Sequence, residues 1–166
     1  MRLLLIRHAI AEHRRAGLPD ADRALTPEGR TRFQAEVRGL QALEIQFDRA
    51  LHSPWARAAQ TAALLQPLLA GALEVEPTLA RAPSPALLAC MRSGETVAAV
   101  GHEPWLSALV SWLIAGDEAI ADRVPLKKGG VVWLEGEPEA GGMALVAFLP
   151  PRVLRALGGE GTGRGG

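Results

Sequence analysis

Short apolar runs and longer amphipathic segments alternate along this chain, and that alternation constrains its fold more than any other feature. Strand-length runs separated by helical patterns are typical of α/β proteins, in which helices cover a largely parallel sheet. The first run, RLLLI (2–6), is apolar after its arginine and predicts a strand that is buried on both faces. Three further strands are predicted in DRALHS (48–53), LEVEP (73–77) and TVAAVGH (96–102).

The segments between these runs begin and end like helices. Thr26 is the predicted N-cap of the first helix and Pro27 its first residue, because a hydroxyl acceptor and a fixed φ both favour helix initiation. The second helix is predicted from Pro54 to Gly71, between an initiating proline and a terminating glycine. The full set of helices is predicted at 25–43, 54–71, 84–92, 103–116 and 151–157, with a β-hairpin over 129–150.

Size and composition predict a single domain over residues 1–157 and a glycine-rich, disordered tail over 158–166. Lysine plus arginine and aspartate plus glutamate number 18 each, which argues against nucleic acid or a membrane surface as a partner. No apolar run approaches the roughly 18 residues that span a bilayer, and the N-terminal run is too short for a secretory leader. A single cysteine, Cys90, fits a reducing compartment. A cytoplasmic protein is therefore expected.

Polar residues follow three of the predicted strands. Arg7 and His8 end the first, His52 and Ser53 end the second with Arg57 one turn into the next helix, and His102 and Glu103 end the fourth. Ligands of open α/β sheets bind outside the carboxyl ends of the strands, so these groups converge if the three strands are neighbours.

Two histidines and two arginines at one edge have a coherent chemistry. A neutral imidazole is a nucleophile toward phosphorus, and arginine forks match the oxygens of a phosphoryl group. A second histidine, protonated by the phosphate that it binds, can stabilise the transition state. Each residue alone is commonplace at a strand end, since most such histidines pack in the core or a loop and most such arginines are solvated. Spacing by itself leaves the site undecided.

Four motifs resemble those of a known family, and they occur in its order over about two thirds of the chain. RHA after the first strand, DADRALTPEGR before the first helix, SPWARAAQTA after the second strand and GHEPWLS after the fourth are similar to motifs of the histidine phosphatase superfamily, also called phosphoglycerate mutase-like. The similarity is greatest to its small SixA-type phosphohistidine phosphatases. The resemblance implies a three-layer α/β/α sandwich with a mostly parallel central sheet.

The resemblance also implies a role for individual residues. His8 would be phosphorylated transiently, Arg7 and Arg57 would hold the phosphate, and His102 would be the second histidine of the site. Ser53 and Thr61 match motif positions that shape the loop and helix. Arg23, Ser53 and Glu103 are weaker candidates for substrate binding, and no metal or other cofactor is implied. His52 is expected to pack beside the site and His13 to be solvated.

The chain lacks the long insertion in which many superfamily members carry a carboxylate general acid. No Asp or Glu occurs from Thr78 to Gly94. Glu103 is a candidate proton donor, or alternatively a cap of the helix that follows it. A phosphoramidate needs less help from an acid than an ester does, because an imidazole protonated by solvent leaves readily. This difference favours phosphohistidine as the substrate.

The leading hypothesis is a metal-independent phosphatase that forms phosphohistidine at His8 and dephosphorylates protein phosphohistidine, with a histidine-containing phosphotransfer protein as the candidate partner. Two alternatives stay open. One is a small-molecule phosphomonoester phosphatase of the same superfamily. The other is a phosphate- or phosphohistidine-binding module without turnover, against which the intact set His8, Arg7, Arg57 and His102 argues.

Overall fold

A central six-stranded sheet organises the computed structural model, which describes residues 1–91 and 94–159. Its strands are β1 Arg2–Arg7, β2 Phe47–His52, β3 Leu69–Val75, β4 Thr96–Gly101, β5 Val131–Gly136 and β6 Met143–Leu149. Their spatial order is β3-β2-β4-β1-β5-β6. The first four of these are parallel to one another, whereas β5 pairs antiparallel with both β1 and β6. The predicted hairpin is therefore confirmed, and so is the mostly parallel sheet.

Helices cover both faces of this sheet. The α-helices of the described residues are α1 Pro27–Ala42, α2 Ala56–Ala63, α3 Pro85–Ala89, α4 Trp105–Ala115 and α5 Pro151–Leu157. Thr26 caps α1 as predicted, since its hydroxyl accepts the Gly29 N–H at 2.9 Å. No helix in the described part of the chain is long and apolar enough to cross a membrane.

Successive side chains of β1 point to opposite faces of the sheet, and they divide the core into two clusters, as expected for a strand buried on both faces. Leu4 and Ile6 pack into one cluster with Phe33 of α1 and Leu154 of α5. Leu3 and Leu5 point to the opposite face, into a cluster that includes side chains of α3 and α4. The resulting three-layer α/β/α sandwich confirms the predicted fold class.

The region between β2 and β3 differs from the prediction. α2 was expected to continue to Gly71, but it ends at Ala63, and β3 already begins at Leu69. Pro67 explains the end of the helix, because its ring would clash with the Ala63 carbonyl and it lacks an N–H to donate. Gly71 lies inside β3, where a Cβ would come within 2.1 Å of the Asp48 carbonyl oxygen. This glycine therefore permits close strand contact and does not cap a helix.

The C-terminal prediction is tested only in part. Gly158 and Gly159 form a turn after α5, and the remainder of the predicted tail, 160–166, lies outside the described residues.

Candidate active site

The carboxyl ends of β1, β4 and β2 form one edge of the sheet, because β4 lies between the other two strands. Arg7 is in register with Gly101, and the His8 N–H donates to the Gly101 carbonyl at 3.1 Å. The rings of His8 and His102 meet at this edge with centroids 5.1 Å apart and planes inclined by 52°. The three strand ends that the sequence singled out therefore converge.

His8 is held as a neutral ring with a defined lone pair. Its side chain is buried, and Nδ1–H donates to the Ala9 carbonyl at 2.7 Å, which leaves the lone pair on Nε2. Arg57 Nε–H donates to that Nε2 at 3.2 Å. Burial is the main cause that lowers the pKa of His8 to about 3; the Ala9 carbonyl opposes it, and the charges of Arg57 and Arg7 add to it. At neutral pH Nε2 is thus unprotonated, and a neutral imidazole nitrogen of this kind can act as a nucleophile.

His102 is buried beside it, with its Nε2 2.8 Å from the Ser53 hydroxyl oxygen. Its Nδ1 is buried and has no hydrogen-bond partner in the described structure. Burial first, and then the charge of Arg57, lower the pKa of His102 to about 3, so the ring is neutral in the ligand-free site. If the Ser53 hydroxyl donates to Nε2, the ring hydrogen is on Nδ1. A bound phosphate would raise the pKa of His102, because an opposite charge favours the protonated ring.

Arg57 connects the histidine pair to Asp20, an acidic residue for which the sequence predicted no role in the site. Its guanidinium donates to the backbone carbonyl of Asp20 at 2.5 Å and to the Asp20 carboxylate at 3.0 Å. It also lies 4.5 Å from the centre of the Trp55 ring, and that ring packs against His102 at 4.4 Å. Asp20 was visible in the sequence only as the first residue of DADR, three positions before Arg23.

Asp20 joins three arginines at the mouth of the site. Besides Arg57, it accepts hydrogen bonds from Arg23 Nε at 2.9 Å and Arg14 Nε at 2.8 Å. Burial favours the neutral acid, but the hydrogen bonds from the arginines prevail and lower the pKa of Asp20 to about 2. Arg23 also donates to the Glu12 carbonyl at 2.6 Å. The structure thus brings Arg23 to the site through Asp20, and without direct contact to either histidine.

Arg7 and Glu103 meet through the backbone of Leu126. Arg7 Nη1 donates to the Leu126 carbonyl at 2.7 Å, whereas its buried Nε has no partner among the described residues. Glu103 Oε1 accepts the Leu126 N–H at 2.6 Å and the Ser107 hydroxyl at 2.7 Å, and Oε2 accepts the Ser107 N–H in α4 at 3.2 Å. Glu103 therefore interacts with the first turn of α4, in keeping with the capping alternative, and it supports the loop that holds Arg7.

Two further side chains, the hydroxyl of Thr61 and the imidazole of His52, lie beside the site and shape it. Thr61 Oγ1 accepts the Ala9 N–H at 3.0 Å and donates to the Arg57 carbonyl at 2.6 Å, which fixes the loop after His8 against α2. His52 is buried and its Nδ1–H donates to the Ser53 carbonyl at 2.9 Å, as a packed residue would. His13 is exposed in the loop before Asp20. Within 1–91 and 94–159, no three His, Cys, Asp or Glu side chains are arranged to hold a metal ion.

Comparisons with known proteins relate this chain to a family. Residues 3–81 match the model of the histidine phosphatase superfamily (branch 1). An uncharacterised protein of Picosynechococcus sp. is 33% identical over 144 residues, which cover 81% of this chain and 84% of that protein.

Solved structures extend the similarity over nearly the whole chain. The protein histidine phosphatase SixA complexed with tungstate superposes with a TM-score of 0.77 at 23% identity, covering 93% of this chain and 99% of that one. A SixA from Agrobacterium tumefaciens gives a TM-score of 0.75 at 25% identity, covering 90% and 97% of the two chains.

Proposed function

We propose that this protein hydrolyses phosphohistidine on a protein substrate and that His8 is phosphorylated during the reaction. The chain belongs to the histidine phosphatase superfamily and is a histidine-dependent phosphatase. One observation carries the proposal: the lone pair of His8 lies on Nε2, because Nδ1–H donates to the Ala9 carbonyl, and the one hydrogen bond that this lone pair accepts within the described structure, from Arg57 Nε–H, is a long 3.2 Å. The same Nε2 faces the guanidinium of Arg57, a group suited to hold the phosphoryl oxygens.

In the first step, His8 Nε2 attacks phosphorus and a new N–P bond forms as the N–P bond of the substrate breaks. Arg57 and Arg7 neutralise charge on the phosphoryl oxygens, and the buried Nδ1–H of His102 donates to one of them. The departing imidazole of the substrate takes a proton from water. Arg57 Nε–H donates a long hydrogen bond of 3.2 Å to the lone pair of His8 Nε2. This N–H must therefore turn to the phosphoryl group before His8 can attack.

In the second step, a water molecule attacks phosphorus and the bond to His8 Nε2 breaks. Inorganic phosphate leaves with the water oxygen, and His8 returns to its neutral form. The low pKa of His8, caused chiefly by burial, keeps the ring unprotonated and ready for the next cycle at neutral pH.

The carboxylates at the site support a nitrogen leaving group over an alkoxide. Asp20 has a pKa of about 2 and is paired with three arginines, so it has no proton to give at neutral pH. Both oxygens of Glu103 accept hydrogen bonds from Ser107 or Leu126. An alkoxide would need a proton donor, whereas imidazole is a good leaving group once solvent protonates it. Phosphohistidine suits this set of residues better than an ester does.

Replacement of the nucleophile tests the mechanism. His8→Ala is expected to abolish hydrolysis of a generic aryl phosphate, and rapid quench of the wild-type protein with labelled substrate should trap an adduct at His8 that is stable to alkali and labile to acid. His13→Ala is the matched control at an exposed histidine and should retain wild-type turnover. Turnover that persists in His8→Ala would overturn the mechanism.

A competition of substrates tests the choice of phosphohistidine. The purified protein is given a phosphohistidine-bearing phosphotransfer domain, sugar phosphates and nucleotides in parallel, and kcat/KM is measured for each. The phosphotransfer domain is expected to give the highest value. A higher kcat/KM for a small ester would assign the same site to a phosphomonoester phosphatase. Because the SixA structure was solved with tungstate, that oxyanion is also expected to inhibit this protein competitively.

A further inference from the structure

A cationic groove adjoins the candidate active site on the side of α1 and α5. It is a cavity of about 610 Å³ between the end of β1, the turn before β5 and the first turn of α5. Six cationic side chains line it, namely Arg7, Arg32, Lys127, Lys128, Arg152 and Arg155. The chain has no net charge and only two lysines, and both of them lie here. The groove therefore concentrates positive charge on an otherwise balanced surface.

The acidic residues nearby do not cancel this charge. Glu36, the carboxylate that lines the groove, is paired with Arg155 at 2.6 Å. Arg32 is paired with Glu28 at 2.7 Å. Within the described residues, no carboxylate lies within salt-bridge distance of the other cations.

Those remaining cations are exposed at the rim or face the phosphate pocket. Lys127, Lys128 and Arg152 are exposed, and Arg7 contributes the wall that the groove shares with the active site. These four charges are available to an anionic ligand.

The groove shares Arg7 with the phosphate pocket, and Ala9, the residue after His8, also lines it. Gly129 N–H, in the turn after Lys128, lies 3.0 Å from the Arg7 carbonyl and 3.3 Å from the His8 carbonyl, so this turn is fixed against the residues that end β1. Gly129 has a φ of +80°, a conformation that favours glycine. Burial, followed by the charges of Arg7 and other arginines of the site, lowers the pKa of Lys128, which agrees with its place beside them. The groove therefore begins beside the residues that end β1.

The groove continues beyond the first cavity. A second cavity of about 280 Å³ shares Lys127, Pro150 and Arg152 with the first and continues to Phe148, which is 39% exposed. No aromatic side chain lines the larger cavity to stack on a base or ring. The combined surface runs from Arg7, through three exposed cations, to an exposed apolar side chain.

We propose that this groove binds an acidic segment of the phosphoprotein substrate, with aspartate or glutamate side chains that flank the phosphorylated residue contacting Lys127, Lys128 and Arg152. The inference rests on the proposed function, since it assumes that the phosphate is carried by a polypeptide. Charge complementarity argues for acidic flanks, and the two adjoining cavities, which extend from Arg7 to Phe148, argue for a polypeptide. The groove would thus select among phosphoproteins, whereas the histidine pair performs the chemistry.

Two phosphohistidine peptides test the groove, one with aspartates on both sides of the phosphorylated residue and one with asparagines at those positions. The wild-type protein is expected to show a kcat/KM about tenfold higher for the acidic peptide at low salt, and 0.5 M salt should reduce that ratio toward one. In the double variant Lys127→Gln/Arg152→Gln the ratio should fall to about two. Because each ratio is taken within one protein, partial loss of folding or of turnover does not affect it.

The matched control is Arg30→Gln/Arg123→Gln, which removes two exposed charges outside the groove and should keep the tenfold ratio. Equal kcat/KM for the two peptides in the wild type would overturn the inference and leave the proposed function standing. If neither peptide is hydrolysed while an aryl phosphate is, the proposed function fails, and the inference falls with it. A ratio that the double variant retains would assign the preference to other residues and also overturn the inference.

Discussion

Arg7 separates two cationic regions that are built in opposite ways. On one side, the histidine pair and Arg57 are almost wholly buried, with exposures of 2–5%, and hydrogen bonds fix most of their polar atoms. On the other, Lys127, Lys128 and Arg152 are exposed and make no salt bridge within the described structure. The first region holds atoms in fixed positions, and the second offers charge without fixed geometry.

This difference assigns different tasks to the two regions. Burial lowers the pKa values of His8 and His102 to about 3, and so keeps the proposed nucleophile neutral at acidic pH, where solvent-exposed histidines would be protonated. Exposed lysines and arginines contribute weaker attraction that salt screens. Changes in the buried region should therefore reduce kcat strongly and depend on geometry. Changes in the groove should alter substrate preference modestly and depend on charge.

Among the changes that test this contrast, Arg57→Lys has the largest expected effect, because it keeps the positive charge and removes the forked guanidinium. Lysine cannot donate to His8 Nε2 and to both acceptors of Asp20 in the arrangement of the guanidinium. We expect kcat for an aryl phosphate to fall by about 10²–10³, the usual cost of losing a donor to a transition-state oxyanion.

Two controls accompany the Arg57→Lys measurement. Arg30→Lys makes the same change at an exposed position of α1 and should leave kcat within about twofold of wild type. A thermal melt of each variant separates loss of the fold from loss of catalysis. A fall in kcat of less than tenfold for a folded Arg57→Lys would show that charge alone suffices, and the contrast between the two regions would fail.

The next effect in size concerns stability in acid. The unfolded chain protonates each histidine near its ordinary pKa of 6.5, whereas His8 and His102 stay neutral in the folded protein down to about pH 3. The unfolded state thus binds more protons between these values, so the free energy of unfolding falls as pH drops through that range. For one such histidine the loss between pH 7 and pH 5 is about 2 kcal/mol.

Denaturant titrations at the two pH values measure this loss. His8→Gln should lose about 2 kcal/mol less than the wild type on going from pH 7 to pH 5, because one buried neutral ring has been removed. His13→Gln makes the same replacement at an exposed position. Equal losses in His8→Gln and wild type would mean that burial of His8 does not depress its pKa.

The sequence predicted the buried region better than the groove, for a physical reason. A strand that ends in Arg7 and His8 has a local signature, and the parallel sheet brings such ends together wherever they fall in the chain. The capped start of α1 at Thr26 is equally local. The predicted end of α2 was wrong because Gly71 was interpreted as the residue that terminates the helix. Pro67 already argued against a helix that continues to Gly71.

Contacts between segments that are distant in the chain could not be predicted from the sequence. The groove brings together residues near positions 7, 32, 128 and 152, and nothing in the spacing of these positions predicts that they meet. Asp20 follows no predicted strand, and its importance becomes visible only when Arg57, 37 residues away, donates to it. Tertiary packing creates both features, so local sequence patterns could not predict them.

The smallest expected effect, that of Ser53→Ala, tests how far hydrogen bonds in the buried region matter. The Ser53 hydroxyl is 2.8 Å from His102 Nε2 and, as donor, would keep the ring hydrogen on Nδ1, the donor that the proposed mechanism assigns to a phosphoryl oxygen. Alanine removes that control of the tautomer, and we expect kcat to fall about tenfold with KM nearly unchanged. Ser53→Thr should restore most of the loss, because it keeps the hydroxyl. A fall confined to KM would indicate that Ser53 only shapes the pocket, whereas a kcat effect rescued by threonine requires its hydrogen bond to His102.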